Sequence, residues 1–147
     1  MRMPFLRGGL TAKNYMEGKH MSTNSRIGIL HKDGTTETIY CHWDGYPAHH
    51  MPILTEHYDT IEKVRAPVAL GDISILGERI APDADEQHSF EMPAESVTLA
   101  YHRDRNDPPQ PAVTHKSILS LIQGERGIPY FYLFDEEKGA WLPPDEG

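Results

Sequence analysis

Two short runs of β-branched residues, separated by an Asp-Gly pair, restrict the fold of this 147-residue chain more than any other feature. The runs are RIGIL at residues 26–30 and TIYCHW at residues 38–43, and Asp33 and Gly34 lie between them. Asp-Gly favours a tight turn in which backbone φ is positive, and such a turn between two β-branched runs is typical of an antiparallel hairpin. The sequence therefore predicts two paired strands at the start of the domain.

The segments after the hairpin show helical and strand patterns in turn. Pro47 and Pro52 lead into a first helix, and the histidine pair at 49–50 is interpreted as a polar loop before it. Residues 59–72 predict a second helix that ends at Gly71. The remaining predicted elements are a strand at 96–104, a helix at 113–124 and an aromatic hairpin at 129–144. This order predicts an α+β fold, with a mostly antiparallel β-sheet and two to three helices packed on one face.

The composition fits a soluble domain and excludes several classes of protein. Hydrophobic residues make up 38% of the chain and charged residues 24%, which is typical of globular proteins. No apolar run approaches the roughly 20 residues that a membrane-spanning helix needs, so no membrane partner is predicted. The single cysteine, Cys41, excludes an internal disulfide and indicates a reducing compartment. The net charge of -8 argues against direct nucleic-acid binding, which needs a basic surface.

The chain is predicted to contain one folded domain. Residues 1–22 lack the apolar stretch of a secretory signal and show no periodicity, so they are predicted to be a disordered leader. Residues 23–143 are predicted to form a single α+β domain, followed by a tail at residues 144–147.

Several blocks of the sequence are similar to a family of small proteins of bacteriophages and prophages. The blocks are MSTNSRIGI, DGTTETIYCHWDGYP, LTEHYDTIEKV, ALGDISILGERI and AYHRDR, and the similarity runs from Met21 to about Trp141. The resemblance implies a protein made in the cytoplasm of an infected or lysogenic bacterial host. It implies no agreed activity and no catalytic residue.

Cys41 and His42 are adjacent in the second predicted strand, so their side chains leave on opposite faces. They therefore cannot form a Cys–His pair or share a metal ion without a bulge. The core face is predicted to carry Ile39, Cys41 and Trp43, where a buried thiol acts as a small apolar group. Trp43 and Tyr46 are interpreted as packing residues, and no catalytic residue is predicted.

Three histidines and an aspartate are candidates for a ligand-binding site. His42 and His102 share the non-core face if both lie on strands, and His57 and Asp44 can reach the same edge. Three imidazoles and a carboxylate suit a transition metal ion, and one imidazole beside a carboxylate can act as a general acid or base. The alternative is that these histidines are surface or capping residues, because their spacing matches no helix-borne metal motif. The sequence leaves the metal open and predicts no cofactor.

Arginines near the middle of the chain are candidates for an anion site. Arg103 and Arg105 lie on the same side of the predicted strand, where two guanidinium groups can clamp a phosphate or carboxylate. Together with Arg26 and stacking aromatics, they predict a pocket for a small anionic ligand of the nucleotide type. The alternative is that they pair with acidic residues at 83–95.

An acidic, loop-rich connection is predicted at residues 78–95, where Arg79 is the only Lys or Arg residue. Glu86, Glu91 and Glu95 are predicted to face a basic surface of a host or phage protein.

The aromatic run near the C-terminus is apolar on both faces. Tyr130, Tyr132 and Phe134 share one face, and Phe131 and Leu133 share the other. Such a strand is either central and covered on both sides, or part of an interface, which would make a homodimer.

Three functions follow from these observations. The leading hypothesis is a phage accessory protein that acts by binding rather than by catalysis. One version is an inhibitor of a host defence system, of the anti-CRISPR type, whose carboxylates imitate nucleic-acid phosphates. The second hypothesis is a binding module for a small anionic nucleotide. The third is a metal- or histidine-dependent hydrolase built on His42, His57, His102 and Asp44.

Overall fold

The structure, a computed structural model, describes residues 22–146. All but the last residue of the predicted disordered leader lies outside the described residues. The strands are β1 (Ser25–Leu30), β2 (Thr36–Cys41), β3 (Ile73–Ile75), β4 (Leu99–Ala100), β5 (Val113–His115), β6 (Tyr130–Asp135), β7 (Ala140–Trp141) and β8 (Asp145–Glu146). The helices are α1 (Pro47–His57), α2 (Ile61–Leu70), α3 (Tyr101–Arg105) and α4 (Ile118–Gly124). No helix within residues 22–146 is long and apolar enough to cross a membrane.

The predicted hairpin is confirmed. β1 and β2 pair antiparallel, and Gly34 adopts a φ of 91° in the turn between them. The Gly34 backbone N–H donates to the His31 carbonyl at 2.9 Å, which closes the turn. Within β1, Gly28 faces Thr38, and a side chain at Gly28 would collide with the Glu37 carbonyl of β2. The two strands therefore approach each other as closely as a glycine permits.

The sheet is mixed, and the α+β class is confirmed. The strand order is β4-β3-β2-β1-β6-β7, while β5 pairs with β2 and β8 pairs with β6. β1 runs parallel to β6, and β2 runs parallel to β3. The remaining pairings are antiparallel. The first strand of the domain therefore lies between its hairpin partner and a strand from near the C-terminus.

Helices cover both faces of the sheet. Tyr132 and Phe134 of β6 pack in one core cluster with Leu54 of α1 and Val64 of α2. The alternate β6 side chains, Phe131 and Leu133, form a second cluster with Leu121 of α4. The prediction that the helices pack on one face is therefore corrected, because α4 lies opposite α1 and α2. Since both apolar faces of β6 are covered within the chain, the strand gives no argument for a homodimer.

Two segments differ from the sequence prediction. The predicted strand at 96–104 ends at Ala100, and Tyr101–Arg105 is a short helix that ends at Asn106 in the left-handed region, with a φ of 63°. The predicted helix at 113–124 begins only at Ile118, because Val113–His115 pairs with β2 as a strand. In both places a contact with a distant part of the chain overrides the local pattern.

Leu121→Ala tests the second core cluster. Leu121 is fully buried under α4, so removing its side chain leaves a cavity. Such a truncation is expected to lower the free energy of unfolding by about 2–5 kcal/mol. Leu119→Ala is the matched control, because Leu119 lies on the same helix and is 64% exposed. It is expected to change stability by less than about 0.5 kcal/mol. Equal losses for both variants in chemical denaturation would contradict the placement of α4.

Candidate functional site

The irregular segment that connects β3 to β4 carries most of the acidic candidates, and we call it the acidic loop (residues 76–98). It contains no helix or strand apart from an isolated bridge between Arg79 and Val97. Its acidic residues are Glu78, Asp83, Asp85, Glu86, Glu91 and Glu95. Connections of this length are uncommon in compact domains and are usually either functional or disordered. The contacts of the acidic loop therefore decide whether it is a functional segment or a disordered one.

Arg79 clamps the base of the acidic loop. Its guanidinium donates to both carboxylate oxygens of Glu86, at 2.8 and 2.9 Å, and to the backbone carbonyl of Glu95 at 2.7 Å. Its Nε donates to Ser96 Oγ at 3.2 Å, and backbone hydrogen bonds join Arg79 to Ser96 and Thr98. The hydrogen bonds from Arg79 lower the pKa of Glu86 to about 2. Glu86 is therefore an ionised anchor of the loop and not an unoccupied acceptor for a partner.

A second contact ties the middle of the acidic loop to α3. His88 Nδ1 accepts from the Ala94 backbone N–H at 2.9 Å, and His88 Nε2 lies 3.2 Å from Asp104 Oδ2. Both side chains are almost fully buried. Burial acts to raise the pKa of Asp104, but hydrogen bonds from Arg103 and from the Ala100 backbone outweigh it, and the pKa lies below its usual value. Asp104 is therefore an ionised acceptor that joins loop and helix.

The remaining acidic side chains of the loop stay at the surface. Glu91 and Glu95 are exposed, and the Asp83 side chain is 78% exposed. Met92, between two of these carboxylates, is 74% exposed and is the most exposed large apolar side chain of the described residues. Met92 is of a residue type enriched at interfaces, and the exposed carboxylates give the loop surface a negative charge.

The predicted arginine pair is occupied within the chain. Arg103 donates to Asp104 at 2.8 and 3.0 Å and to the Thr98 carbonyl at 2.7 Å. Arg105 makes two hydrogen bonds with Asp107, at 2.9 and 2.7 Å. The carboxylates that these arginines bind are those of Asp104 and Asp107, so the alternative that they pair with the acids at 83–95 is wrong.

Arg26 is likewise engaged. Its side chain is buried and donates to the Thr38 hydroxyl at 2.8 Å and to the Thr38 carbonyl at 3.0 Å. Its Nη1 lies 3.3 Å from Glu125 Oε1. The arginines proposed for an anion pocket therefore all have partners in the fold.

The three candidate histidines have different hydrogen-bond or ion-pair partners. His42 Nδ1 lies 2.7 Å from Tyr40 Oη, and His102 Nδ1 lies 2.7 Å from the Asp107 carbonyl. His57 Nε2 lies 3.9 Å from Glu78, so it borders the acidic loop. The shared face of His42 and His102 required both to lie on strands, and this premise is wrong because His102 lies on α3. Within residues 22–146, no group of three or more His, Cys, Asp or Glu side chains could hold a metal ion.

At the end of β2, the side chains of Cys41 and His42 point in different directions, as predicted. Cys41 is fully buried, and burial raises the pKa of its thiol to about 12, while His42 lies partly exposed on the other face. Trp43 and Tyr46 are 42% and 41% exposed, so their interpretation as packing residues is wrong. The alternation of faces ends with β2 at Cys41, and Asp44 adopts a left-handed φ of 58° in the turn that follows.

A chain of polar side chains lies buried beneath this turn. His50 Nε2 lies 3.0 Å from Ser25 Oγ, and His50 Nδ1 lies 3.1 Å from His49 Nδ1. Ser25 and His50 are both fully buried, and the His50 ring packs on Tyr132 with centroids 4.9 Å apart. Burial lowers the pKa of His50 to about 3, and the neighbouring His49 adds to the effect. A serine beside a histidine is also the arrangement of a nucleophile and its base, but this pair is closed to substrate.

The interpretation of residues 49–50 as a polar loop is therefore wrong. Both histidines lie in the first turns of α1, and His50 joins this helix to β1. The sequence signal that was available is the proline at the start of the helix, Pro47, which permits the helix to begin before the histidines.

An open groove lies between α2 and residues 111–112. Its volume is about 420 Å³, and Ile29, Val68 and Ala112 contribute apolar surface to it. Arg65 and Glu37 line the same groove. Because a cation and an anion both line it, the groove favours no single ligand charge.

Sequence reasoning missed the residues that organise the acidic loop. Arg79 carried a usable signal, because a single arginine among many carboxylates has to bind several of them or their backbone. His88 carried none, since its contact with Asp104 joins two segments that the sequence assigned to a loop and a strand.

No family model matches the chain, and no curated protein or solved structure matches it significantly. The resemblance to proteins of bacteriophages and prophages therefore stays a prediction.

Arg79→Gln tests the clamp. Without the guanidinium, the pKa of Glu86 is expected to rise from about 2 toward its usual value of 4.5. The amides of the acidic loop are expected to exchange faster with solvent, since several hydrogen bonds at its base are lost. The Glu86 carboxyl and the loop amides can be followed by NMR. Arg126→Gln, an exposed change of the same charge, is the control. A Glu86 pKa that stays at about 2 in Arg79→Gln would contradict the clamp.

His50→Gln tests the buried histidine. In the folded protein His50 stays neutral down to about pH 3, whereas in the unfolded chain it takes up a proton below about pH 6.5. Unfolding therefore consumes a proton in this window, and stability is expected to fall as the pH drops from 6.5 toward 3. One such group contributes a slope of up to about 1.4 kcal/mol per pH unit. Denaturation at several pH values should show a shallower slope for His50→Gln, and identical slopes would contradict the burial of a neutral ring.

Proposed function

We propose that this protein acts by binding another protein, and that the acidic loop is its contact surface. The single observation that carries the proposal is the clamp of Arg79 on Glu86, Glu95 and Ser96. It holds a long irregular segment in one shape while Glu91 and Met92 remain exposed. An ordered loop of this kind binds with a smaller loss of conformational entropy than a mobile one.

The charge of the surface supports a basic partner. The whole chain carries a net charge of -8, and the acidic loop has Arg79 as its only Lys or Arg residue. That guanidinium is bound to Glu86 and to the loop backbone. Carboxylates of one sign on a fixed backbone accelerate the association with a surface of opposite sign. Met92 adds an apolar contact of the type enriched at the centre of interfaces.

The buried groups support binding over catalysis. Ser25 and His50 have the contact of a nucleophile with its base, yet both are fully buried. The Cys41 thiol is buried, and its pKa of about 12 keeps it protonated at neutral pH. His42, His57 and His102 have separate partners. These observations give the hydrolase hypothesis less support than the binding hypothesis.

The partner class that fits best is a protein with a positively charged groove. A surface that binds nucleic acid in the host offers such a groove, and the exposed carboxylates of the acidic loop can take the place of phosphates there. Together with the resemblance to proteins of bacteriophages and prophages, this favours the version in which the protein inhibits a host defence system. The small-anion hypothesis receives less support, because Arg26, Arg103 and Arg105 are already paired.

The double variant Glu91→Gln/Glu95→Gln tests the proposal. Glu86 is left unchanged because it holds the loop through Arg79. Proteins retained from a bacterial host extract would be identified by mass spectrometry, and the affinity of the purified partner measured by calorimetry at two salt concentrations. The double variant is expected to bind about tenfold more weakly or worse, with a smaller dependence on salt.

The matched control removes the same charge elsewhere. Glu62 and Glu137 are both exposed, and Glu62→Gln/Glu137→Gln changes the net charge by the same amount. Equal affinities for the two double variants would show that total charge, and not the acidic loop, governs binding. Such a result would overturn the proposal.

A further inference from the structure

A short segment rich in proline crosses the surface between α3 and β5. Its sequence is DPPQP, at residues 107–111. Pro108, Pro109, Gln110 and Pro111 are all exposed, and the segment belongs to no helix or strand. No role in the sheet or in the acidic loop explains why three of these four consecutive exposed residues are prolines.

The sequence of this segment restricts its own conformation. Each proline ring holds φ near -65°, and a residue that precedes proline is confined to the extended region. Asp107, Pro108 and Gln110 each precede a proline, so every residue from 107 to 111 is restricted by one effect or by both. The conformation that satisfies these restraints is polyproline II, which has three residues per turn. In that conformation Pro108 and Pro111 lie on the same side.

Both ends of the segment are fixed to the fold. At the first end, the Asp107 carboxylate accepts two hydrogen bonds from Arg105, and the Asp107 backbone N–H donates to the Tyr101 carbonyl at 3.2 Å. At the second end, the Asp72 backbone N–H donates to the Gln110 carbonyl at 3.0 Å. Gly71 permits this approach, because a side chain there would collide with the Gln110 carbonyl. Hydrogen bonds at both ends thus hold the prolines at the surface, and the segment is not a free linker.

We propose that residues 108–111 are a docking segment for a proline-recognition module, a partner whose groove is lined by aromatic side chains. Pro108 and Pro111 enter neighbouring slots of that groove, in the manner of PxxP ligands. Residues 108–111 carry no charged side chain, so their partner differs in chemistry from the basic surface proposed for the acidic loop. Because the conformation is restricted before binding, little entropy is lost on docking.

The test is an NMR titration of the full chain with defined proline-recognition modules. The probes are an SH3 domain, a WW domain and an EVH1 domain, each known to bind peptides of the PxxP or polyproline type. At least one module is expected to bind with a micromolar dissociation constant and to shift the amides next to residues 108–111. Pro108→Ala/Pro111→Ala is expected to weaken this binding at least about tenfold. The backbone amide spectrum of the variant shows whether it keeps its fold.

A matched control uses two exposed prolines outside the segment. Pro52→Ala/Pro143→Ala removes the same number of proline rings and is expected to bind the module as the unchanged chain does. The proposal is overturned if none of the three modules binds at about 1 mM. It is also overturned if the shifts lie outside residues 105–112, or if both double variants bind equally well. Should Pro108→Ala/Pro111→Ala fail to fold, Gln110→Pro, which lengthens the run without removing a ring, is expected to retain binding, and loss of binding would count against the proposal.

Discussion

The parallel pairing of β1 with β6 is the constraint on which the rest of the structure depends. It joins the first strand of the domain to one near its C-terminus, with Ile27 facing Tyr132. Because β6 is apolar on both faces, its place inside the sheet, between β1 and β7, requires cover on both sides. The two core clusters supply it, one beneath α1 and α2 and the other beneath α4. The same pairing brings Ser25 and Tyr132 to the site where His50 is buried.

The acidic loop connects two strands of this sheet, β3 and β4, but different interactions hold the loop in place. Between residues 78 and 95 its apolar side chains all remain at least partly exposed, so side-chain hydrogen bonds have to offset the entropy cost of ordering it. Arg79 supplies them at the base, and the hydrogen bond from the Ala94 backbone N–H to His88 Nδ1 supplies one in the middle. These internal contacts use Glu86 and leave Glu91 and Glu95 at the surface. This difference between Glu86 and the exposed carboxylates supports the proposal that the loop is a binding surface.

Local signals predicted the elements whose cause is local. Asp33 and Gly34 fixed the hairpin, because a turn with positive φ depends on a few neighbouring residues. Gly71 ended α2 for the same reason. An interior proline removes a helical hydrogen bond, yet α2 runs uninterrupted from Ile61 to Leu70 with Pro67 buried inside it.

The failures share a dependence on distant contacts. Val113–His115 fits the pattern of a helix but pairs with β2, and His102 fits a strand but lies on α3. The predicted histidine site was affected most, because a shared face for His42 and His102 required His102 to lie on a strand. The burial of Cys41 was predicted correctly, since the alternation of faces within β2 is a property of the strand itself. Hydrogen bonds such as that of His50 with Ser25 leave no periodic trace in the sequence.

The most direct test of the central claim measures the motion of the acidic loop in the unmodified protein. Backbone ¹⁵N relaxation gives an order parameter for each amide, with about 0.85 for rigid backbone and below about 0.6 for flexible segments. If Arg79 and His88 hold the loop as described, residues 79–96 should give order parameters close to those of β1 and β6. Values below about 0.6 across that segment would show a mobile connection and would contradict the account.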